Sequence, residues 1–237
     1  MGLDLYYWAE IPGRGEFPRL VLEATRTPYR DMVRLPDAGF PAMQAHLTRS
    51  DGPRAFAPPF LIHDGRLVSQ SAVVCAYLGE TLGLAPPDEA SRWFARSVAQ
   101  TTADVVDEAH DVHHPLGVDL YYEEQLPEAR RRAEGFRAKR LPKFLDWYRD
   151  LIEANGSGWL VGPSISYVDL GLFQLVEGLR YAFPQRMATL EPDYRVVVEL
   201  VERVRAVPAV ADYLASERRV PFNKDGIFRA YPELDDF

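Results

Sequence analysis

Between Leu3 and Glu23 the chain reads LDLYYWAEIPGRGEFPRLVLE, and that order commits its start to a strand, a tight turn and a helix. Leu3-Asp4-Leu5-Tyr6-Tyr7-Trp8 alternates and is rich in aromatics, the pattern of a β-strand. Pro12, Gly13 and Gly15 mark a turn. The segment from Glu16 to Glu23 has a proline near a helix start, an acid in the first turn and an apolar stripe. A tyrosine at the end of the strand, facing a glycine-rich entry into a helix, sets a phenol beside free backbone N–H groups. Helix N-termini attract negative charge, so such a unit can hold a small anion. The same unit also opens α/β domains that have no such site.

The next segments extend the pattern. Tyr29 to Leu35 reads as a second strand, and Pro36 to Pro53 as a polar, irregular connection. Pro58-Pro59-Phe60-Leu61-Ile62-His63 is a proline-led strand. Asp64-Gly65 is a hairpin turn, because both residues tolerate positive φ, and Arg66-Leu67-Val68 is the return strand. Ser71 stands as the N-cap of the apolar run Ala72 to Leu78. The order is βαβ followed by ββα, which predicts an α/β thioredoxin-like domain over residues 1–84. Ala85-Pro86-Pro87-Asp88 breaks the pattern. Beyond it every period is helical, so an all-α domain is expected over 89–217, with a tail at 218–237. Helices are predicted at Glu89–His113, Glu128–Asn155 (with Pro142 as a kink or boundary), Tyr167–Phe183, Tyr194–Arg205 and Ala209–Glu217. Ser166 and Asp169 have the spacing of a capping box. The aromatic and acidic tail folds back over the cleft or stays a mobile end; nothing in its sequence separates the two.

Charge and cysteine content narrow the function classes. A net charge of −8 over 237 residues argues against nucleic acid or an anionic membrane as the main partner. The basic cluster from Arg130 to Arg140 is interleaved with acids, as on a solvated helix face. A single cysteine, Cys75, excludes an internal disulfide and a CxxC pair. It lies inside a helix and reads as a small core residue. No basic, apolar leader and no apolar run of membrane-spanning length is present, so a cytoplasmic protein is expected.

Tyr7-Trp8, then Gly13-Arg14-Gly15-Glu16, then Arg19-Leu20-Val21-Leu22 resembles the opening of the tyrosine-type (alpha, mu, pi and sigma-like) cytosolic glutathione S-transferases. Trp159-Leu160-Val161-Gly162 with Ser166 and Asp169 resembles the helical-domain signature of the same family. The likeness runs from Leu3 to about Glu217, and a bacterial-looking member is expected. It implies a glutathione transferase that joins the glutathione thiolate to small apolar electrophiles, a homodimer, and no metal. There are departures: one extra residue lies between Tyr7 and Gly13, and Pro12 stands where an arginine is usual.

By the resemblance, Tyr7 donates a hydrogen bond to the glutathione sulfur, and Arg14 helps electrostatically. Tyr6 is the alternative, since adjacent strand residues face opposite sides. The effect needed is modest. A thiol of pKa about 8.5 is only about 3% ionised at pH 7, and lowering it by two units takes about 2.7 kcal/mol. One hydrogen bond to a charged group supplies roughly 1.5–3 kcal/mol. Pro59 matches the family's cis-proline. Pro58 precedes it, where an N–H to glutathione is usual, and proline has none. Gln70 and Ser71 match the pair that holds the γ-glutamyl end, Asp104 the acid that reaches its amine across a dimer, with Asp107 as competitor, and Arg54 is a candidate for the glycine carboxylate. Tyr121, Tyr122, Tyr181 and Phe183 are candidates for the apolar wall. His110, Asp111, His113 and His114 have metal-ligand spacing, with Asp107 and Glu108 as added oxygens. Pro115 follows at once and no distant ligand pair is evident, so no metal is expected. Two rivals stand beside conjugation: a binding or regulatory module without efficient catalysis, motivated by Pro58 and the extra residue, and a glutathione-dependent isomerase, reductase or peroxidase.

Overall fold

The computed structural model describes residues 2–36 and 39–236. Four short strands form one mixed sheet in the order β2-β1-β3-β4. Strand β1 (Leu3–Tyr6) pairs in parallel with β2 (Arg30–Asp31) and antiparallel with β3 (Phe60–His63). Strand β4 (Arg66–Ser69) returns from a turn in which Asp64 and Gly65 both have positive φ. The predicted second strand is only two residues long, because Met32–Arg34 winds into a 3₁₀ turn.

Helix α1 (Glu16–Ala24) crosses from β1 to β2, and every residue from Glu16 to Leu22 is buried. Helix α2 (Gly39–Thr48) occupies the stretch expected to be irregular, of which residues 37 and 38 lie outside the described residues. Met43 anchors it in a small core with Tyr6, Met32 and Phe60 on one side of the sheet. Helix α3 (Ser71–Leu82) starts at its expected cap, one residue earlier than predicted. Gln70 is the N-cap, at φ 72°, and Ser71 is the first helical residue.

Past Leu82 the described residues form helices and connections only. Helix α4 (Glu89–Asp111) packs on α3 and on α7 (Tyr167–Ala182). Asp88 caps α4 by accepting the Ser91 N–H at 2.8 Å. The expected helix around Pro142 is α5 (Leu126–Gly135) and α6 (Leu141–Asn155), joined by a π turn over Phe136–Arg140. Proline lacks the N–H that would continue the ladder, and the wider turn absorbs the mismatch. Helix α7 starts from the predicted capping box. The Asp169 carboxylate accepts from the Ser166 N–H at 2.7 Å, its hydroxyl at 2.9 Å and the Leu160 N–H at 2.8 Å. Burial raises this carboxyl to about pH 6 against those three donors.

Helices α8 (Pro184–Leu190), α9 (Arg195–Arg205) and α10 (Pro208–Leu214) follow, with α10 ending three residues before the expected Glu217. The tail does fold back. Ile227 and Phe228 are buried, and the short α11 (Pro232–Asp235) lies against α5. Asp235 accepts the Gln185 N–H at 2.7 Å at the start of α8.

Candidate active site

Sheet register gathers the site. Tyr6 pairs with Phe60, and Phe60 pairs with Ser69. The residues just beyond those positions, Tyr7 after β1, Pro59 before β3 and Gln70-Ser71 after β4, therefore meet at one end of the sheet. The Pro58–Pro59 peptide is cis, as expected for Pro59.

The two tyrosines separate cleanly. The Tyr6 ring stacks on Phe60 with centroids 4.6 Å apart and meets His46 edge-on at 5.0 Å, inside the smaller core. The Tyr7 ring points the other way and lies under the turn of residues 13–15. Its oxygen accepts the Arg14 backbone N–H at 2.9 Å. That contact leaves the phenol's own proton free to donate. The turn approaches so closely that only glycine fits. A Cβ on Gly13, which has φ 36°, would stand 2.1 Å from the Tyr7 oxygen, and one on Gly15 2.4 Å from its ring. Burial holds the Tyr7 phenol above its ordinary range, although the Arg14 N–H and the charges of Arg14 and Arg19 pull the other way. At neutral pH it is a hydroxyl and not a phenolate.

The Arg14 side chain bonds Asp107 on α4. Both acids of that helix are exposed: Asp107 faces the turn at Arg14, and Asp104 accepts the Gln100 amide at 3.3 Å. Gln70 is exposed and Ser71 half-buried at the start of α3, where the first N–H groups of the helix point outward. Arg54 is exposed on the loop before β3, and Pro58 is half-buried. Cys75 lines a cavity of about 30 Å³ with Phe17, Ser71, Thr102 and Tyr167. Burial pushes its thiol far above the ordinary range, so it is no nucleophile.

The expected apolar wall is mostly core. Phe183 packs on Phe136, Tyr122 stacks on Tyr231 at 3.8 Å, and Tyr181 stacks on Phe222 at 5.2 Å. Tyr121 stands exposed. The tail reaches the rim instead: the Asn223 amide donates to the Glu10 carbonyl at 2.8 Å, and Gly226 lies beside Pro12. His113 donates to the Ile227 carbonyl at 2.8 Å. Burial lowers His110 to about 4 and His113 to about 3, so both rings are neutral at physiological pH.

Sequence reasoning did not find the buried ion network behind Tyr7. Arg19 and Glu16 have fully buried side chains 3.4 Å apart, and Arg19 also bonds Asp31 at 2.8 Å. Glu16 accepts the Tyr213 hydroxyl at 2.6 Å and pairs with Arg219. Arg219 in turn donates to Gln174 at 3.0 Å. The Arg19 guanidinium lies 5.8 Å from the Tyr7 ring centroid. The available signal was an arginine set three residues after a glutamate within an otherwise apolar helix face.

Residues 110–217 match the model of the glutathione S-transferase C-terminal domain. The chain is similar to a glutathione S-transferase of Plasmodium yoelii yoelii, 20% identical over 161 residues, 68% of each chain. It is also similar to glutathione S-transferase P 1 of Xenopus laevis, 24% identical over 214 residues, 88% of this chain and 90% of that one. The solved structure of a prostaglandin synthase D of Nilaparvata lugens superposes with a TM-score of 0.71 at 21% identity, covering 93% of this chain and all of that one. The fold is that of the glutathione S-transferases. These relatives are eukaryotic, so the expectation of a bacterial-looking member has no support.

Proposed function

We propose that this chain is a cytosolic glutathione S-transferase in which the Tyr7 hydroxyl donates to the glutathione sulfur and holds it as thiolate. The observation that carries this reading is the Tyr7 oxygen bonded to the Arg14 N–H, which fixes the phenol and leaves its proton available. The family match over 110–217 supports it. Arg14, held by Asp107, adds positive charge beside that oxygen. The outward N–H groups of α3 with Gln70 and Ser71 suit the γ-glutamyl carboxylate, and Arg54 the glycine carboxylate. Pro58 offers only its carbonyl, so the tripeptide is held by one backbone bond fewer. The electrophile is a small apolar molecule. Isomerisation is the second reading, favoured by the likeness to the prostaglandin synthase fold, and it uses the same thiolate.

Calorimetric titration with glutathione at pH 6.5 and pH 8 tests the proposal. Binding at both values, with a proton released at the lower one, is the expected result, since a site that ionises the thiol must expel its proton there. No heat at millimolar glutathione would leave the binding-module reading in its place.

The partner in solution is a second copy of the chain. Phe56 is 92% exposed and Trp93 60%, with Val73 and Phe94 also exposed. Large exposed apolar patches mark contact surfaces, and these side chains are the candidates for one. Sedimentation velocity at micromolar concentration is expected to give a dimer for the natural chain and a monomer for Phe56→Ser/Trp93→Ser. A natural chain that sediments as a monomer would refute this.

A further inference from the structure

We infer that His110, His113 and His114 form a binding site for a first-row divalent metal ion of the zinc type. Sequence spacing argued against a metal because no distant ligand pair accompanies these residues. The structure nevertheless brings the three rings together, since one more helical turn carries the chain past Asp111, with the His113 and His114 N–H groups bonded to the His110 carbonyl at 3.2 and 3.3 Å. Ring centroids lie 4.8 Å apart for His110 and His113, 5.5 Å for His110 and His114, and 4.7 Å for His113 and His114. One ligand nitrogen of each lies within 4.8 Å of the other two.

The tautomer of His113 is fixed by its neighbour. Its Nε2 sits 2.8 Å from the Ile227 carbonyl oxygen, which only accepts, so Nε2 carries the proton and Nδ1 presents a lone pair. A backbone carbonyl in that position is the usual partner that orients a metal-bound histidine. The bare Nδ1 faces His114 Nδ1 at 2.5 Å, so one proton lies between the two rings. An ion bound at about 2.0–2.1 Å from each nitrogen in tetrahedral geometry separates the nitrogens by about 3.3 Å. His114 therefore swings back by about 1 Å, and its proton passes from Nδ1 to Nε2. Three imidazoles with a fourth position open to water suit zinc, copper or nickel better than magnesium or calcium. The charges around the cluster are mixed: Asp107, Asp111 and Glu123 offset Arg14 and Arg229, and Asp111 lies 3.8 Å from His110 Nδ1.

The test is zinc titration of the full chain, free of any histidine tag, followed by calorimetry and elemental analysis. One ion per chain is expected. His110→Asn, at the partly exposed edge, and His113→Gln, at the buried one, are each expected to bind at least about tenfold more weakly, since loss of even an orienting partner costs roughly 10–100-fold. Because Ile227 rests on His113, zinc is also expected to slow tryptic cleavage at Arg219, Lys224 and Arg229. Failure to take up zinc at equimolar concentration would overturn the inference, leaving a histidine hydrogen-bond cluster only. Uptake unchanged in His110→Asn would overturn it equally.

Discussion

Replacing Tyr7 with phenylalanine is expected to lower kcat/KM for glutathione conjugation by about 10- to 150-fold. That range is the roughly 1.5–3 kcal/mol of one hydrogen bond to a charged acceptor, expressed as a rate. The change deletes the donor and little else. The ring stays clamped beneath Gly13 and Gly15, so binding of the tripeptide through Ser71 and the α3 N-terminus is expected to persist with little change in KM. The pH profile carries the sign. On the proposed reading Tyr7 stabilises thiolate and thereby lowers the thiol's pKa; without it the thiol is expected to return toward its ordinary value of about 8.5. The variant is therefore expected to recover rate as pH rises toward 9, while the natural chain is expected to be near its plateau already. Burial keeps the Tyr7 proton in place above the ordinary tyrosine range, so the natural profile does not fall off there through loss of the donor. Full activity in Tyr7→Phe with an inactive Tyr6→Phe would reverse the assignment.

The largest expected loss of stability comes from Arg19→Ala. Asp31 would lose its nearest cation and Glu16 one of its two, leaving Arg34 at 3.8 Å and Arg219 as their remaining partners, and breaking a buried pair by removing one partner costs about 3–5 kcal/mol. For a chain of this size that is a fall in Tm of roughly 6–20 °C. Glu16→Gln/Arg19→Met removes both charges and is expected to restore much of the loss, because no unpaired charge then remains in that pair. Thermal unfolding of the two variants decides the matter. A loss below about 1 kcal/mol for Arg19→Ala would mean that the network contributes specificity and not stability.

The parts that were legible in the sequence are those set by local period and turn chemistry. Asp64-Gly65 specifies its hairpin because both residues accept positive φ, and Ser166 with Asp169 fixes the start of α7. Helix α2 was illegible because Gly39 and Pro41 stand at its start and its apolar residues make only a weak stripe. Helix α8 was hidden for the opposite reason: Pro184, a helix-starting residue, reads as a break when α7 ends just before it. Which of Tyr6 and Tyr7 lies under the glycine turn needed the sheet itself, since only the neighbours on each face tell them apart. The pairing of Asp107 with Arg14 and the links from Glu16 to Tyr213 and Arg219 escaped for a single reason. Each depends on groups far apart in sequence, and no local pattern announces a partner 93 or 197 residues away.

Those separations bear on how the chain is made. Ribosomes deliver the N-terminal half first, at roughly 5–20 residues per second. Glu16 and Arg19 then exist for some seconds without Tyr213 and Arg219, and Glu23 without Arg218. The sheet-bearing half emerges with an incomplete interior that only the last residues synthesised can finish. A nascent chain stalled before residue 213 is therefore the form most exposed to chaperones and proteases.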